Sequence, residues 1–338
     1  MRKCGLIILL TSALSITFCT QKLPEGALVI QDNDTTYPQD ILDISKKINQ
    51  NPTDAEKYYL RGNAFYYLDD FENASVDFKT ASFLLPSNAL YFYRLAESYL
   101  APDSANYLEA MEALEKAIKL KADYSEAIFL VAKLQLARQQ YGKAEINLKK
   151  ILDNDGFDEK SRLLLSVLYK EQKDSMKSEN IIDDLLRINP ENFDANMQKA
   201  LFLIDKDSLL AEQFIDKALI LDEYSDEALY TKALLLQRKG SYEDALNLYK
   251  RVQKINPQHI LSYYNSAVLH AMFENYQSGI DLCNQVLKLS EQFENAYTLR
   301  GFCYQELGDN KTAEQNYSAA LEINPNSELA QRYLNSLR

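Results

Sequence analysis

Small side chains recur along this sequence at an interval close to 34 residues, and this interval constrains the fold more than any other feature. The first series consists of Gly62, Ala96, Ala132, Ser166, Ala200, Ala233, Ala267 and Gly301. A second series follows about twelve positions later and consists of Ala74, Ala110, Ala144, Ser178, Ala211, Ala245, Gly279 and Ala313. That offset is the distance between facing sites on two helices joined by a tight turn. The self-similarity therefore predicts a solenoid of stacked helical repeats and not a globular enzyme.

The remaining positions of the period resemble the tetratricopeptide repeat. Residues 55–88 carry the family's aromatic, small and proline positions in order, as Tyr58, Gly62, Phe65, Ala74, Phe78, Ala81 and Pro86. The resemblance implies an all-α fold, a right-handed α-α superhelix of about eight helix-turn-helix repeats. The units predicted from this register are 55–88, 89–124, 125–158, 159–192, 193–225, 226–259, 260–293 and 294–327.

Both flanks of the repeats are predicted to be capping helices, over residues 40–54 and 328–338. Each flank has an apolar stripe at helical spacing with polar residues opposite, and a solenoid needs such polar-faced ends for solubility. The composition, with 46% apolar residues and only nine glycines, fits an all-helical array. No segment is left over for a catalytic domain.

Residues 159–225 depart most from the pattern. The fourth unit has serine at both small positions, Ser166 and Ser178, and the fifth unit is one residue short. We expect local looseness or altered curvature there. Both a hinge and sequence drift without function are compatible with this irregularity.

The start of the chain predicts export and lipid attachment. Arg2 and Lys3 precede an apolar run that ends near Phe18, too short to span a bilayer core of about 30 Å. Cys19 follows at once, and the arrangement resembles a bacterial lipoprotein signal. The resemblance implies a signal peptide over residues 1–18, lipid on Cys19 and anchoring at the cell-envelope membrane, expected to be the outer membrane. Residues 19–39 are predicted to be a flexible tether.

Two alternatives to lipid attachment stay open. Phe18 departs from the lipoprotein motif, in which a small residue stands immediately before the cysteine. Ordinary secretion with cleavage after Ser15 would leave Cys19 as a free thiol, and an uncleaved anchor is the other alternative.

The sequence predicts no catalytic residue, no metal site and no cofactor. It contains no nucleophile, zinc or phosphate-binding motif. The net charge of −12 argues against nucleic acid as a partner and against attraction to anionic lipid head groups. Cys283 and Cys303 fit either two small buried side chains or a disulfide in an oxidising compartment.

The resemblance implies that the first helix of each unit lines a concave groove that binds protein or peptide partners. The predicted groove residues are Tyr59, Asn63, Tyr66, Tyr93, Arg94, Phe129, Lys133, Met197, Tyr230, Tyr264, Asn265 and Phe302. Tyrosine offers contact area together with a hydrogen bond, which suits an extended segment or an amphipathic helix. The alternative is that these aromatic residues only pack against neighbouring helices.

The expected function is therefore that of a non-catalytic adaptor held at the envelope membrane. A soluble secreted or periplasmic peptide-binding module and a self-assembling structural solenoid are the alternatives.

Chaperone-binding members of the family hold a C-terminal carboxylate with basic and amide side chains at fixed positions. The first window of this chain offers Tyr59, Asn63, Arg94, Glu126 and Leu130 there. A carboxylate clamp of that type is not expected.

Overall fold

Helices account for all the regular structure in the described part of the chain. The computed structural model describes residues 23–31, 36–102 and 106–337. Within these ranges there are 18 helices and no strand, so the predicted all-α class is confirmed. The helices are α1 (Gln39–Gln50), α2 (Ala55–Tyr67), α3 (Phe71–Leu84), α4 (Ala89–Tyr99), α5 (Tyr107–Leu120), α6 (Ser125–Ala137), α7 (Tyr141–Asn154), α8 (Glu159–Glu171), α9 (Ser175–Ile188), α10 (Phe193–Leu203), α11 (Ser208–Leu221), α12 (Asp226–Arg238), α13 (Tyr242–Ile255), α14 (Ile260–Met272), α15 (Tyr276–Leu289), α16 (Glu294–Glu306), α17 (Asn310–Ile323) and α18 (Glu328–Ser336).

These helices form two compact units that divide between Gly156 and Phe157. The first unit contains α1 to α7, and the second contains α8 to α18. Within each unit a helix packs mainly on its neighbours in the chain, in the manner of a repeat array.

Most of the tight turns between the two helices of a pair contain a residue with a positive φ. Asp69 lies between α2 and α3 with a φ of 59°, and Gly308 lies between α16 and α17 with a φ of 85°. A residue in the left-handed region ends a helix in a compact way. The Asp70 side chain then accepts the backbone N–H of Asn73, which caps the start of α3.

Every member of both small-residue series is buried, and the glycines show how close the paired helices lie. A Cβ atom built on Gly62 would lie 2.9 Å from two ring carbons of Phe78. One built on Gly301 would lie 2.6 Å from Cε1 of Tyr317. The small side chains are therefore needed because an aromatic ring of the partner helix occupies the space above them.

Ser166 and Ser178, the two polar members of the series, satisfy each other. Their Oγ atoms are 2.9 Å apart, and the Ser166 hydroxyl also lies 3.0 Å from Oε1 of Gln198. The helices α8 and α9 thus pair through hydrogen bonds where other pairs use alanine. The looseness expected in residues 159–225 stays a prediction.

Residues 23–31 do not behave as the predicted flexible tether. Ile30 is 2% exposed and packs in one core cluster with Ile41 and Phe65, while Leu23 packs against a second cluster that includes Ile48 and Tyr58. The prediction of a tether over 19–39 is wrong for this stretch, because Ile30 is buried and Leu23 and Leu28 pack against the first helices. Cys19, the rest of 1–22 and residues 32–35 lie outside the described residues.

Cys283 and Cys303 are free and buried thiols. Burial raises the pKa of Cys283 to about 12 and that of Cys303 to about 11. In this structure the two residues act as small apolar side chains of the core.

Candidate functional site

Asn63 and Tyr66, two predicted groove residues of the first unit, contact the Arg94 guanidinium. Its Nε and Nη2 atoms donate to Oδ1 of Asn63 at 3.0 and 2.8 Å, and Nη1 donates to Oε2 of Glu97 at 2.7 Å. The same guanidinium lies over the Tyr66 ring, 4.5 Å from its centroid. Because Arg94 is held by a carboxylate, an amide and a ring, its charge is largely compensated within the chain.

Tyr59 and Tyr93 are engaged by neighbouring helices. The Tyr59 ring stacks on Tyr91 with centroids 5.0 Å apart, and the Tyr93 ring lies 5.3 Å from that of Tyr124. The Tyr93 hydroxyl donates to Oε1 of Glu97 at 2.8 Å. Burial is the largest cause that raises the pKa of Tyr93, and the Glu97 carboxylate raises it further. These contacts agree with the packing alternative for both tyrosines.

Two further predicted residues lie on α6, and neither joins the Arg94 cluster in any described contact. Phe129 is half-buried, and Lys133 is exposed to solvent. Lys133 therefore offers a positive charge on this helix, and Phe129 offers part of a ring.

Met197 does not line a groove. It is 3% exposed and packs in a core cluster with Ala218 and Ala228. The two alanines leave space that the unbranched methionine side chain fills. The prediction of Met197 as a groove residue is wrong for this reason.

Tyr230 and Asn265 are brought together across successive first helices, α12 and α14. The Asn265 amide donates to the Tyr230 hydroxyl at 3.0 Å. The Tyr230 ring also lies 4.6 Å from the His259 ring and 5.9 Å from that of Tyr249. This pair is partly buried and tied into the array.

Tyr264 and Phe302 meet in an open pocket of about 390 Å³ between α14, α16 and α18. The pocket will be called the α14–α16–α18 pocket. Its lining residues are Tyr264, Val268, Ala271, Met272, Glu274, Tyr276, Asn295, Thr298, Leu299, Phe302, Leu329 and Tyr333. The Phe302 ring lies 5.6 Å from Tyr333 and 6.1 Å from Tyr276, so aromatic edges form much of the wall.

The chemistry of this pocket suits an apolar or aromatic segment. Its lining contains one carboxylate, Glu274, and no basic side chain. Met272 and Leu329 are exposed apolar residues, 49% and 42% accessible, and both line the pocket. Because about half of each side chain is already buried, covering the rest with a partner yields about 1 kcal/mol each.

The capping helix α18 supplies part of this site, which the sequence reasoning did not foresee. Residues 328–338 were assigned only a capping role, yet Leu329 and Tyr333 of that segment line the pocket. The signal was present in the sequence, because both residues belong to the apolar stripe of the cap. An apolar stripe at a free end covers the last repeat and also borders the next open surface.

Two other kinds of site are absent from residues 23–31, 36–102 and 106–337. No group of three or more His, Cys, Asp or Glu side chains in these ranges is placed to hold a metal ion. The helices of the same ranges are too short or too polar to cross a membrane.

Family models for the tetratricopeptide repeat match residues 230–292 and 294–327 of this chain. The matched residues contain α13 to α17. Residues 230–292 and 294–327 therefore consist of tetratricopeptide repeats. Such repeats are in general scaffolds for protein–protein interaction and are generally not catalytic.

Known proteins with similar sequence or structure agree with this assignment. Stress-induced-phosphoprotein 1 of Caenorhabditis elegans is 25% identical over 80% of this chain and 73% of its own length. A tetratricopeptide repeat protein from Parabacteroides merdae superposes with a TM-score of 0.53 at 21% identity, covering 74% of this chain and 98% of that one. PilW, a type IV pilus biogenesis factor, gives a TM-score of 0.55 at 20% identity over 62% of this chain and 98% of its own. These structures confirm the α-α superhelix class.

Proposed function

We propose that this protein is a non-catalytic adaptor that binds an apolar segment of a partner protein in the α14–α16–α18 pocket. The observation that carries the proposal is the pocket itself, where exposed Met272 and Leu329 border a wall of aromatic rings. An apolar concavity with few polar groups is the usual form of a binding site. The carboxylate-clamp residues are absent from the predicted windows, so the bound segment is recognised through its side chains and not through a terminal carboxylate.

We further propose that the adaptor is anchored to a bacterial envelope membrane by lipid on Cys19. The support is the order of basic residues, short apolar run and cysteine at the start of the sequence. Two or more acyl chains give stable attachment without a transmembrane helix. Loss of membrane association and of fatty-acid labelling in Cys19→Ala is the expected result, and retention of both would refute the anchor.

Site-specific photo-crosslinking in cells tests the binding proposal. A photoreactive amino acid replaces Met272 in the pocket or, as a control, Leu307, which is 53% exposed and lies outside the pocket lining. We expect a defined partner adduct from position 272 and not from position 307. The adduct should disappear when Leu329→Glu is added and persist with Leu307→Glu added.

Three outcomes would contradict parts of the proposal. Equal adducts from both positions would show that contact does not depend on the pocket. An adduct with the mass of two copies of this chain would favour the self-assembling solenoid. Recovery of the protein in a soluble fraction would favour the secreted module.

A further inference from the structure

Residues 23–31, the segment ahead of α1, are hydrogen-bonded to α1 and to the first repeat. The Leu28 carbonyl accepts from Nη2 of Arg61 at 2.9 Å, and the Ile30 carbonyl accepts from Nδ2 of Asn49 at 3.2 Å. The Ile30 side chain is buried, whereas the adjacent Val29 is 66% exposed. One face of the segment therefore packs on the repeat and the other faces solvent.

The buried charge of Arg61 favours the docked state. Its side chain is fully buried and pairs with Asp77 through bonds of 2.7 and 2.8 Å, and Nη1 donates to Oγ of Ser45 at 3.0 Å. The Leu28 carbonyl accepts a further hydrogen bond from this guanidinium. Undocking the segment would remove an acceptor from a buried cation, which is costly.

Docking begins close to the proposed lipid site. Leu23 already packs against the cluster of Ile48 and Tyr58. Only residues 20–22 separate it from Cys19, so covalent geometry limits the distance between the Cα atoms of Cys19 and Leu23 to about 14 Å. A tether that ran freely to residue 39 would reach about 70 Å by the same measure.

We infer that α1 and the first repeat are held against the lipid head groups. Their contact surface lies at the end of α1 and the start of α2. The inference rests on the proposed lipid at Cys19. The partner of this surface is the bilayer itself, and the short covalent link imposes the contact. The inference does not depend on charge, because the covalent link acts whatever the charge of the surface.

Energy transfer to a membrane acceptor tests the inference on the full lipid-modified chain. The sequence contains no tryptophan, so Lys47→Trp in α1 and Lys143→Trp in α7 each introduce a single donor. Both positions are exposed, and they lie on the first and last helices of the first unit. The protein is reconstituted into phosphatidylcholine vesicles that contain a dansyl-labelled lipid.

We expect transfer from the Lys47→Trp donor to be several times larger than from the Lys143→Trp donor. A 20-residue Gly/Ser insertion between Lys22 and Leu23 should lower it to the control level. In the Lys47→Trp background, Ile30→Asp should also lower it, because it removes the buried anchor of the segment. Val29→Asp is the matched control and should leave the transfer unchanged.

The outcomes separate this inference from the anchoring on which it rests. Absence of acyl chains on Cys19 by mass spectrometry would overturn both. Acylated protein with equal transfer from the two donors would overturn the short link alone. Energy transfer that stays unchanged after the Gly/Ser insertion would also overturn the short link. The insertion lies outside residues 23–31, so it still tests the link if circular dichroism shows that Ile30→Asp is misfolded.

Discussion

Substituting one methyl group at Gly301 tests whether the repeats depend on close approach of paired helices. A Cβ atom at this position would lie 2.6 and 2.8 Å from two ring carbons of Tyr317 and 3.1 Å from Cβ of Asn316. The Tyr317 ring is fully buried, stacks on Tyr333 and donates its hydroxyl to Gln305 at 2.8 Å. The ring cannot retreat without disturbing these contacts.

The net effect of Gly301→Ala follows from three opposing contributions. Overpacking costs about 1–3 kcal/mol, and loss of the Tyr317 hydrogen bond costs about 1 kcal/mol. Replacing glycine by alanine inside a helix gains about 1 kcal/mol. We therefore expect the free energy of unfolding to fall by about 1–3 kcal/mol.

Gly142→Ala is the matched control, because Gly142 lies in helix α7 and no atom lies within 4 Å of its would-be Cβ. It should raise stability by about 0.5–1 kcal/mol. Urea unfolding at constant m-value measures both variants, and hydrogen exchange of α16 and α17 localises the loss. Equal stabilisation by the two substitutions would refute the close-packing argument.

Three further measurements address other parts of the molecule. Burial raises the pKa of Asp77 from 3.8 to about 6, so between these pH values the folded state keeps a proton that the unfolded chain has lost. The free energy of unfolding, relative to that of Asp77→Asn, should therefore fall by about 2 kcal/mol as the pH rises from 4 to 6. An increase over this range would contradict this. Cys283 and Cys303 should resist alkylation at pH 8 until the chain unfolds, as mass spectrometry can show, because both thiols are buried with raised pKa values. Met197→Ala should destabilise by about 2–5 kcal/mol in chemical unfolding, whereas Met176→Ala, at an exposed site, should change stability by less than about 0.5 kcal/mol.

The repeat interval was sufficient to predict the fold, because it reports a local geometric requirement. Gly62 and Gly301 face aromatic rings of the partner helix. A repeat that makes this contact therefore needs a small residue at the same position. The same logic does not extend to side-chain direction. Met197 occupies a groove position of the pattern, yet Ala218 and Ala228 leave a space that it fills.

The ends of the array were the least predictable from sequence. Residues 23–31 fall within the predicted tether over 19–39, although residues 27–30 are apolar. Their docking depends on Asn49 and Arg61, which lie far along the chain. Composition carries no information about such distant hydrogen-bond donors. Likewise, Leu329 and Tyr333 read as a cap because the pocket that they complete is formed by other helices.

The most direct test of the adaptor function is the affinity of the crosslinked partner segment, made as a synthetic peptide and titrated by calorimetry. Leu329→Glu should weaken binding about tenfold, or about 1.4 kcal/mol, because about 1 kcal/mol of apolar contact is lost and a carboxylate has to be desolvated in its place. Leu307→Glu, which adds the same charge outside the pocket, should leave the Kd unchanged. Equal affinities for the wild type and Leu329→Glu would contradict binding in the α14–α16–α18 pocket.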